Sequence, residues 1–175
     1  AGQLNRLHEQ ALPGKKALIV ISSGKSTRAN GYLDRTEKEL AAAGAATEVF
    51  AGIQANPTLE SVGKGAQAAR AMGADMIVAL GGGSVMDAAK AIALMAVNEG
   101  NLWDYVGSGT GKGQKYAHRA LPVIAITTTA GTGSEVDATS VITNQETHEK
   151  IGLKFPDLYP CPVSYTHLRA HETTL

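Results

Sequence analysis

Short apolar runs alternate along this chain with longer segments in which apolar residues recur at helical spacing. The apolar runs predict strands, and the intervening segments, which end at glycine or proline, predict helices. The predicted strands are residues 16–22, 47–52, 76–80, 121–126 and 138–143. The predicted helices are about residues 4–11, 32–43, 56–72 and 84–97. Strands that alternate with helices predict an α/β fold with a mostly parallel sheet and helices on both faces.

A glycine turn links the predicted third strand to a helix that has no internal glycine or proline. The turn consists of Gly81, Gly82, Gly83 and Ser84. Ser84 is expected to be the helix N-cap, with Asp87 three residues on at capping-box spacing. Free N–H groups and the helix dipole attract anions there, and glycine lets a phosphate approach the backbone. The alternative is a tight turn that needs only positive φ; one glycine would suffice for it, so three favour a ligand.

Three polar or glycine-containing loops leave the carboxyl ends of predicted strands. They are residues 22–31, 81–84 and 127–135. Ligands of parallel sheets bind at the carboxyl ends of the strands. The 127–135 loop, taken alone, also suits a hydroxyl-rich turn that satisfies its own backbone. The convergence of all three loops predicts a nucleotide site.

Composition narrows the class of partner. The 175 residues are 43% hydrophobic and 18% charged, with a formal net charge of zero. These values predict one globular core and argue against nucleic acid or a membrane surface as partner. A single cysteine excludes an internal disulfide, and no apolar run approaches membrane-spanning length, so we expect a cytoplasmic protein.

Two motifs flank the predicted fourth strand. Residues 81–93 read GGGSVMDAAKAIA and residues 128–135 read TTAGTGSE. At this separation they resemble the iron-containing (group III) alcohol dehydrogenase family, especially its butanol-dehydrogenase-like members. The resemblance covers about residues 1–160. It implies a Rossmann-like, dinucleotide-binding domain of an NAD(P)-dependent, metal-assisted oxidoreductase that interconverts small alcohols and aldehydes or ketones.

The resemblance also implies which residues bind the cofactor. Those matched to the pyrophosphate site are Gly81, Gly82, Gly83 and Ser84, with Asp87 as an acid beside them. Those matched to the hydroxyl-bearing loop along the pyrophosphate and the nicotinamide half are Thr128, Thr129, Thr132 and Ser134. Lys150 matches a lysine near the nicotinamide ribose, although without the resemblance it would be interpreted as a solvated surface residue. Thr127 stands where the family usually has proline, and we expect this change to loosen the loop.

The loop after the first strand bears on cofactor choice. An acid there accepts from the ribose 2′-hydroxyl of NAD, whereas a 2′-phosphate needs neutral donors or cations. Residues 22–28 contain no acid and resemble the loop of NADP-preferring family members. We therefore expect NADP(H) over NAD(H), with Lys25 or Arg28 neutralising the phosphate. The residues expected near it are Ser23, Gly24 and Ser26. A solvated basic loop is the alternative.

In the family, a second, helical domain supplies the metal site for Fe²⁺ or Zn²⁺, with ligands C-terminal to the region around Lys150. The resemblance stops at Cys161, and this chain is expected to bind no metal and to supply no catalytic residue. We interpret residues 1–160 as an N-terminally incomplete dinucleotide-binding domain and residues 161–175 as a disordered or spurious tail. His167 and His171 have metal-ligand spacing but are interpreted as exposed residues of that tail.

Several functional classes stay open. The chain is either part of the alcohol-oxidising family enzyme, inactive when alone, or a catalytically inert dinucleotide-binding module. A glycerol-dehydrogenase-like or dehydroquinate-synthase-like enzyme of the same superfamily is a further alternative, against which the 128–135 loop argues. The expected partner is a small alcohol or aldehyde, and the whole family member is expected to be a homo-oligomer.

Overall fold

A four-stranded sheet organises the part of the chain that the computed structural model describes, residues 3–129 and 131–160. Its strands are β1 (Lys16–Ser22), β2 (Ala46–Ile53), β3 (Met76–Gly81) and β4 (Val123–Thr127). They lie in the order β2-β1-β3-β4, and every pair is parallel. The predicted α/β fold is confirmed.

Helices cover both faces of this sheet. They are α1 (Ser26–Ala29), α2 (Tyr32–Ala42), α3 (Leu59–Met72) and α4 (Gly83–Met95). Successive strand residues point to opposite faces, so Leu18 packs in the cluster that includes α3 and α4. The next residue, Ile19, packs with Leu33 of α2 in the cluster on the other face. The sheet is therefore buried on both sides, which explains its nearly continuous apolar strands.

A separate antiparallel hairpin consists of β5 (Thr139–Asn144) and β6 (Glu149–Lys154). The main-chain N–H of Thr143 donates to the carbonyl of Pro57 at 2.9 Å, which holds the hairpin beside the start of α3. The sequence predicted β5 but missed β6, because only two of its six residues are strongly apolar. Pairing with β5 and the burial of Leu153 in the core stabilise this strand.

The ends of two predicted helices need correction. The N-terminal segment is a 3₁₀ helix at Gln3–Glu9, shorter than the helix predicted for residues 4–11. Helix α4 begins at Gly83 with Gly82 as its N-cap, and no described side chain caps it. The predicted N-cap at Ser84 and its capping box with Asp87 are wrong, because the Asp87 carboxylate binds the 134–141 segment instead.

Two glycines of α3 provide a matched pair of stability predictions. Gly63 is exposed and has no heavy atom within 4 Å of the position of an added Cβ, whereas a Cβ at Gly65 would lie 2.3 Å from Cδ1 of buried Ile92. Gly63→Ala is expected to raise the free energy of unfolding by about 0.5–1 kcal/mol through helix propensity. Gly65→Ala is expected to lower it by about 1–2 kcal/mol, because overpacking outweighs the same gain.

Urea denaturation of both variants, followed by circular dichroism, measures this difference. Opposite signs are expected for two identical substitutions two residues apart on one helix. A gain of stability at both positions would contradict the close packing of α3 against α4.

Within the described part of the chain, none of the helices combines the length and hydrophobicity needed to cross a bilayer. The prediction of a cytoplasmic location stays a prediction, as does the division at residue 160. The proposed tail at 161–175, including His167 and His171, lies outside the described residues.

Candidate functional site

A cavity of about 320 Å³ lies where the start of α4 meets the loop after β4 and the hairpin β5–β6. Six of the predicted cofactor residues line it: Gly83, Ser84, Asp87, Thr132, Ser134 and Lys150. They come from three chain segments that are far apart in sequence. The expected convergence of the 81–84 and 127–135 loops at one edge of the sheet follows from the direct, parallel pairing of β3 with β4.

The glycine turn leaves main-chain donors available at the cavity. The carbonyl of Gly82 accepts from the N–H groups of Val85 and Met86 at 3.0 and 3.1 Å. The N–H groups of Gly83 and Ser84 precede the first intrahelical bonds of α4, and no described residue accepts from either. Helix geometry directs such donors out of the N-terminal end, together with the positive end of the dipole. The turn is chemically suited to an anion.

Backbone conformation does not explain the three glycines. No positive φ occurs at residues 81–83 of the described chain, so the alternative of a turn that needs left-handed residues is wrong. Space explains them better. A Cβ at Gly81 would lie 2.7 Å from the side chain of Val85, and a Cβ at Gly83 would lie 3.1 Å from Cγ2 of Thr132. Glycine therefore lets α4 fold tightly onto β3 and lets the loop at residues 127–135 approach the turn.

The loop at residues 127–135, called the hydroxyl loop from here on, packs against the glycine turn. The N–H of Thr128 donates to the carbonyl of Gly81 at 3.0 Å, and Thr129 faces Gly82 on the same side. The hydroxyl of Thr127 donates to the carbonyl of Thr129 at 2.8 Å. Its side chain thus closes a local turn that proline could not make, and the expectation that Thr127 loosens the loop stays a prediction.

Asp87 joins the two walls of the cavity. Its carboxylate accepts from the Ser134 hydroxyl at 2.6 Å and from the Val141 N–H at 3.2 Å. Burial raises the pKa of Asp87, and it outweighs the opposing effects of the Ser134 and Val141 hydrogen bonds and of the Lys90 charge. The Asp87 carboxylate therefore holds the 134–141 segment against α4 and does not cap its own helix.

Sequence reasoning missed the ion pair between buried Lys90 and half-exposed Asp137. Lys90 has no exposed surface, and its ammonium donates to Ser134 Oγ, Asp137 Oδ1 and the Thr139 carbonyl at 2.8–3.0 Å. Burial alone would raise the pKa of Asp137, but the hydrogen bonds from Lys90 and from the Thr139 N–H lower it. Lys90 belongs to the motif at 81–93, which was the only sequence signal for it; nothing in the sequence singled out Asp137.

Lys150 reaches the cavity from β6. Its ammonium donates to Asn56 Oδ1 at 2.7 Å, and Asn56 also lines the cavity. Asn56 has a φ of 57°, a left-handed conformation that asparagine tolerates better than most residues. The pair places a cation at the cavity, and the predicted position of Lys150 near the nicotinamide ribose stays a prediction.

The loop after β1 stands apart from the cavity. Ser23, Gly24 and Ser26 are exposed at the carboxyl end of β1, and none of them lines it. Part of this loop is the short helix α1, which the sequence did not predict. Since β1 pairs directly with β3, the loop and the glycine turn nevertheless follow neighbouring strands.

A larger cleft, of about 840 Å³, lies between the start of α3, the 101–112 segment and the turn at 144–147. None of the predicted cofactor residues lines this cleft. Among the described residues, no group of three His, Cys, Asp or Glu side chains is placed to hold a metal ion. The smaller cavity is the better candidate site, because it combines the start of α4 with the hydroxyl loop and the larger cleft contains neither.

A parallel sheet whose glycine turn and hydroxyl loop meet at its carboxyl edge defines a Rossmann-like α/β domain. Residues 1–163 match the model of the family described as iron-containing alcohol dehydrogenase. The chain belongs to this family, as the two motifs predicted.

Individual relatives agree with this assignment. The chain is 39% identical over 159 residues to the Bacillus subtilis protein named "Probable NADH-dependent butanol dehydrogenase 1". The aligned region covers 91% of this chain and 40% of that protein. An archaeal halo-thermophilic Red Sea brine pool alcohol dehydrogenase superposes with a TM-score of 0.85 at 36% identity, over 91% of this chain and 41% of its own. Sulfoacetaldehyde reductase from Bifidobacterium kashiwanohense, solved in complex with NAD⁺, superposes with a TM-score of 0.76 at 29% identity. This superposition covers 91% of this chain and 41% of the reductase chain. The chain thus spans about 40% of the length of these relatives.

Proposed function

We propose that this chain binds the diphosphate of a nicotinamide dinucleotide in the 320 Å³ cavity. It would thereby form the cofactor-binding part of an alcohol and aldehyde oxidoreductase. The observation that carries the proposal is the pair of N–H groups of Gly83 and Ser84, which have no acceptor among the described residues. Butanol and sulfoacetaldehyde appear in the names of two relatives, which supports a small alcohol or aldehyde as the substrate class of the whole protein.

The residues of the cavity fit a dinucleotide. Two N–H groups and the positive end of a 13-residue helix suit the diphosphate, and the Lys150 ammonium supplies a cation on the opposite wall. Charge-assisted hydrogen bonds contribute about 1.5–3 kcal/mol each, and a helix N-terminus contributes up to about 2 kcal/mol. Together these contacts support a dissociation constant in the micromolar to millimolar range.

The division of chemistry follows from these contacts. The nicotinamide ring, when bound, supplies or accepts the hydride, and the residues of this chain bind and orient the dinucleotide. The described residues of this chain form no ligand cluster for the metal of the whole family enzyme. The expectation that the 175-residue chain alone turns over no alcohol stays a prediction.

The preference for NADP(H) is a proposal that rests on the 22–31 loop. Lys25 and Arg28 are exposed and could reach a 2′-phosphate, whereas the name of the Bacillus relative specifies NADH. Exposed ion pairs contribute at most about 1 kcal/mol, so we expect NADPH to bind about twofold to fivefold more tightly than NADH.

Calorimetric titration of the 175-residue chain with NADH and with NADPH tests both parts of the proposal. Saturable binding of either cofactor supports the site, and no binding up to millimolar concentration contradicts it. Tighter binding of NADPH, lost in the variant Lys25→Ala/Arg28→Ala, supports the preference. Equal affinities, or a preference for NADH, would refute it without affecting the site.

A further inference from the structure

Lys90 and three neighbouring side chains form a polar cluster at the cavity wall, in which Lys90 is fully buried and the other three line the cavity. We define the Lys90 cluster as Lys90, Asp87, Ser134 and Asp137. The Lys90 ammonium has three N–H donors, and three oxygen acceptors at 2.8–3.0 Å satisfy all of them. The cluster is therefore fully bonded at its centre and has one defined arrangement.

All three acceptors of Lys90 lie in the segment 134–139, whereas Lys90 itself lies on α4, seven residues after the first residue of that helix. One side chain thus ties the helix that carries the glycine turn to the segment that carries the hydroxyls. Asp87 repeats the link one turn earlier, through the Ser134 hydroxyl and the Val141 N–H. The distance between the two cavity walls is set by these contacts.

Chemistry fixes the direction of the hydrogen bonds through Ser134. An ammonium can only donate and an ionised carboxylate can only accept. The Ser134 hydroxyl therefore accepts from Lys90 at 3.0 Å and donates its single proton to Asp87 at 2.6 Å. That proton is not available to a phosphate. Ser134 thus connects Lys90 to Asp87.

Stability alone is a weak reason for placing a lysine here. Removing a charged ammonium from water is expensive, and apolar replacements of buried ion pairs are often neutral or stabilising. The Asp137 partner is 47% exposed, so part of its attraction for Lys90 is screened by solvent. A leucine or methionine would fill the same volume on α4. A methionine has no donor for the three oxygens of the 134–139 segment, so it could not hold that segment in one position.

We propose that Lys90 is a positioning residue for dinucleotide binding, which acts by holding the hydroxyl loop at the correct distance from the glycine turn through Ser134 and Asp137. This inference rests on the proposed function of the cavity. Lys90 itself does not line the cavity, so its effect on a bound cofactor is indirect. Loss of Lys90 is expected to weaken the cofactor complex while the fold is retained.

The test separates affinity from stability in the variant Lys90→Met. Its dissociation constants for NADH and NADPH are expected to rise about tenfold or more. Its thermal midpoint falls, because Asp137 and Ser134 lose their donor, but stays above the temperature of the titration. Hydrogen exchange of the amides at residues 131–139 is expected to accelerate about tenfold or more, with β3 unaffected. Asp137→Ala is expected to accelerate exchange at residues 131–139 in the same way, and exchange is the readout for this variant because Asp137 itself lines the cavity.

Arg70→Met is the matched control, since Arg70 donates to the carbonyl of Met95 at the far end of α4. It is expected to change stability and leave dinucleotide affinity unaltered. Unchanged affinity and exchange in Lys90→Met and Asp137→Ala would overturn the inference, and so would an unfolded Lys90→Met beside a normal Asp137→Ala. If the unchanged chain binds no dinucleotide, the proposed function fails and the inferred binding role with it. Exchange at 131–139 then still reports whether Lys90 positions the loop.

Discussion

Replacing Gly83 by valine is expected to weaken the binding of NADH and NADPH about 100-fold or more, in a chain that stays folded. A Cβ at Gly83 would already lie 3.1 Å from Cγ2 of Thr132, so the two additional methyl groups must displace the hydroxyl loop or fill the cavity. Either outcome separates the diphosphate from the N–H groups of Gly83 and Ser84. Losing two charge-assisted hydrogen bonds accounts for an effect of this size.

Gly63→Val is the matched control for this prediction. Gly63 is a glycine of α3 with no heavy atom within 4 Å of an added Cβ, and it does not line the cavity. Calorimetric titration of both variants is expected to show lost affinity for Gly83→Val and normal affinity for Gly63→Val. Normal cofactor affinity in folded Gly83→Val would remove the glycine turn from the binding site.

The largest expected loss of stability outside the site is at Asn98, which follows α4. Its side-chain Nδ2 donates to the carbonyls of Leu94 and His118, and its Oδ1 accepts from the N–H groups of Ala117 and His118, all at 2.8–3.0 Å. The residue is buried, with 4% exposed. Asn98→Leu keeps the branched shape of the side chain but removes all four of these hydrogen bonds to the main chain. We expect the free energy of unfolding to fall by about 3–5 kcal/mol.

Urea denaturation measures this loss, with Asn5→Leu as the control. Asn5 is exposed, so the same chemical change there is expected to shift stability by less than about 0.5 kcal/mol. A similar, small effect at both positions would show that the segment 117–118 does not depend on Asn98.

The strands of the sheet could be predicted because each is buried on both faces. β1 was predicted at its observed limits, since a continuous apolar run with polar ends leaves little choice of register. The three loops at the carboxyl edge followed from the topology alone. β6 could not be predicted in this way, because EKIGLK has the composition of a surface segment and gains its structure from pairing with β5.

The candidate site was predicted in outline, and its side-chain contacts were not. Asp87 was assigned to its own helix because local capping rules count only neighbours in sequence. Its observed partners lie 47 and 54 residues further on, and only the packing of β5 against α4 brings them together. Lys90 was overlooked for a related reason. A lysine in an amphipathic pattern indicates solvent, and its burial depends on acceptors from a distant segment.

Glycine was interpreted correctly as a sign of close approach, although the approaching groups are partly those of the protein. Gly81 accommodates Val85, and Gly82 and Gly83 accommodate the hydroxyl loop. A phosphate would then enter a space whose walls this packing has already positioned. Pre-positioned donors of this kind lose little conformational freedom on binding.

Amide chemical shifts of the ¹⁵N-labelled 175-residue chain during titration with NADPH test the central claim most directly. If the diphosphate rests on the start of α4, the N–H groups of Gly83 and Ser84 are expected to show the largest downfield shifts, with smaller changes around Thr132. Shifts confined to the larger cleft near Trp103 and Gln145, with Gly83 and Ser84 unmoved, would contradict the account.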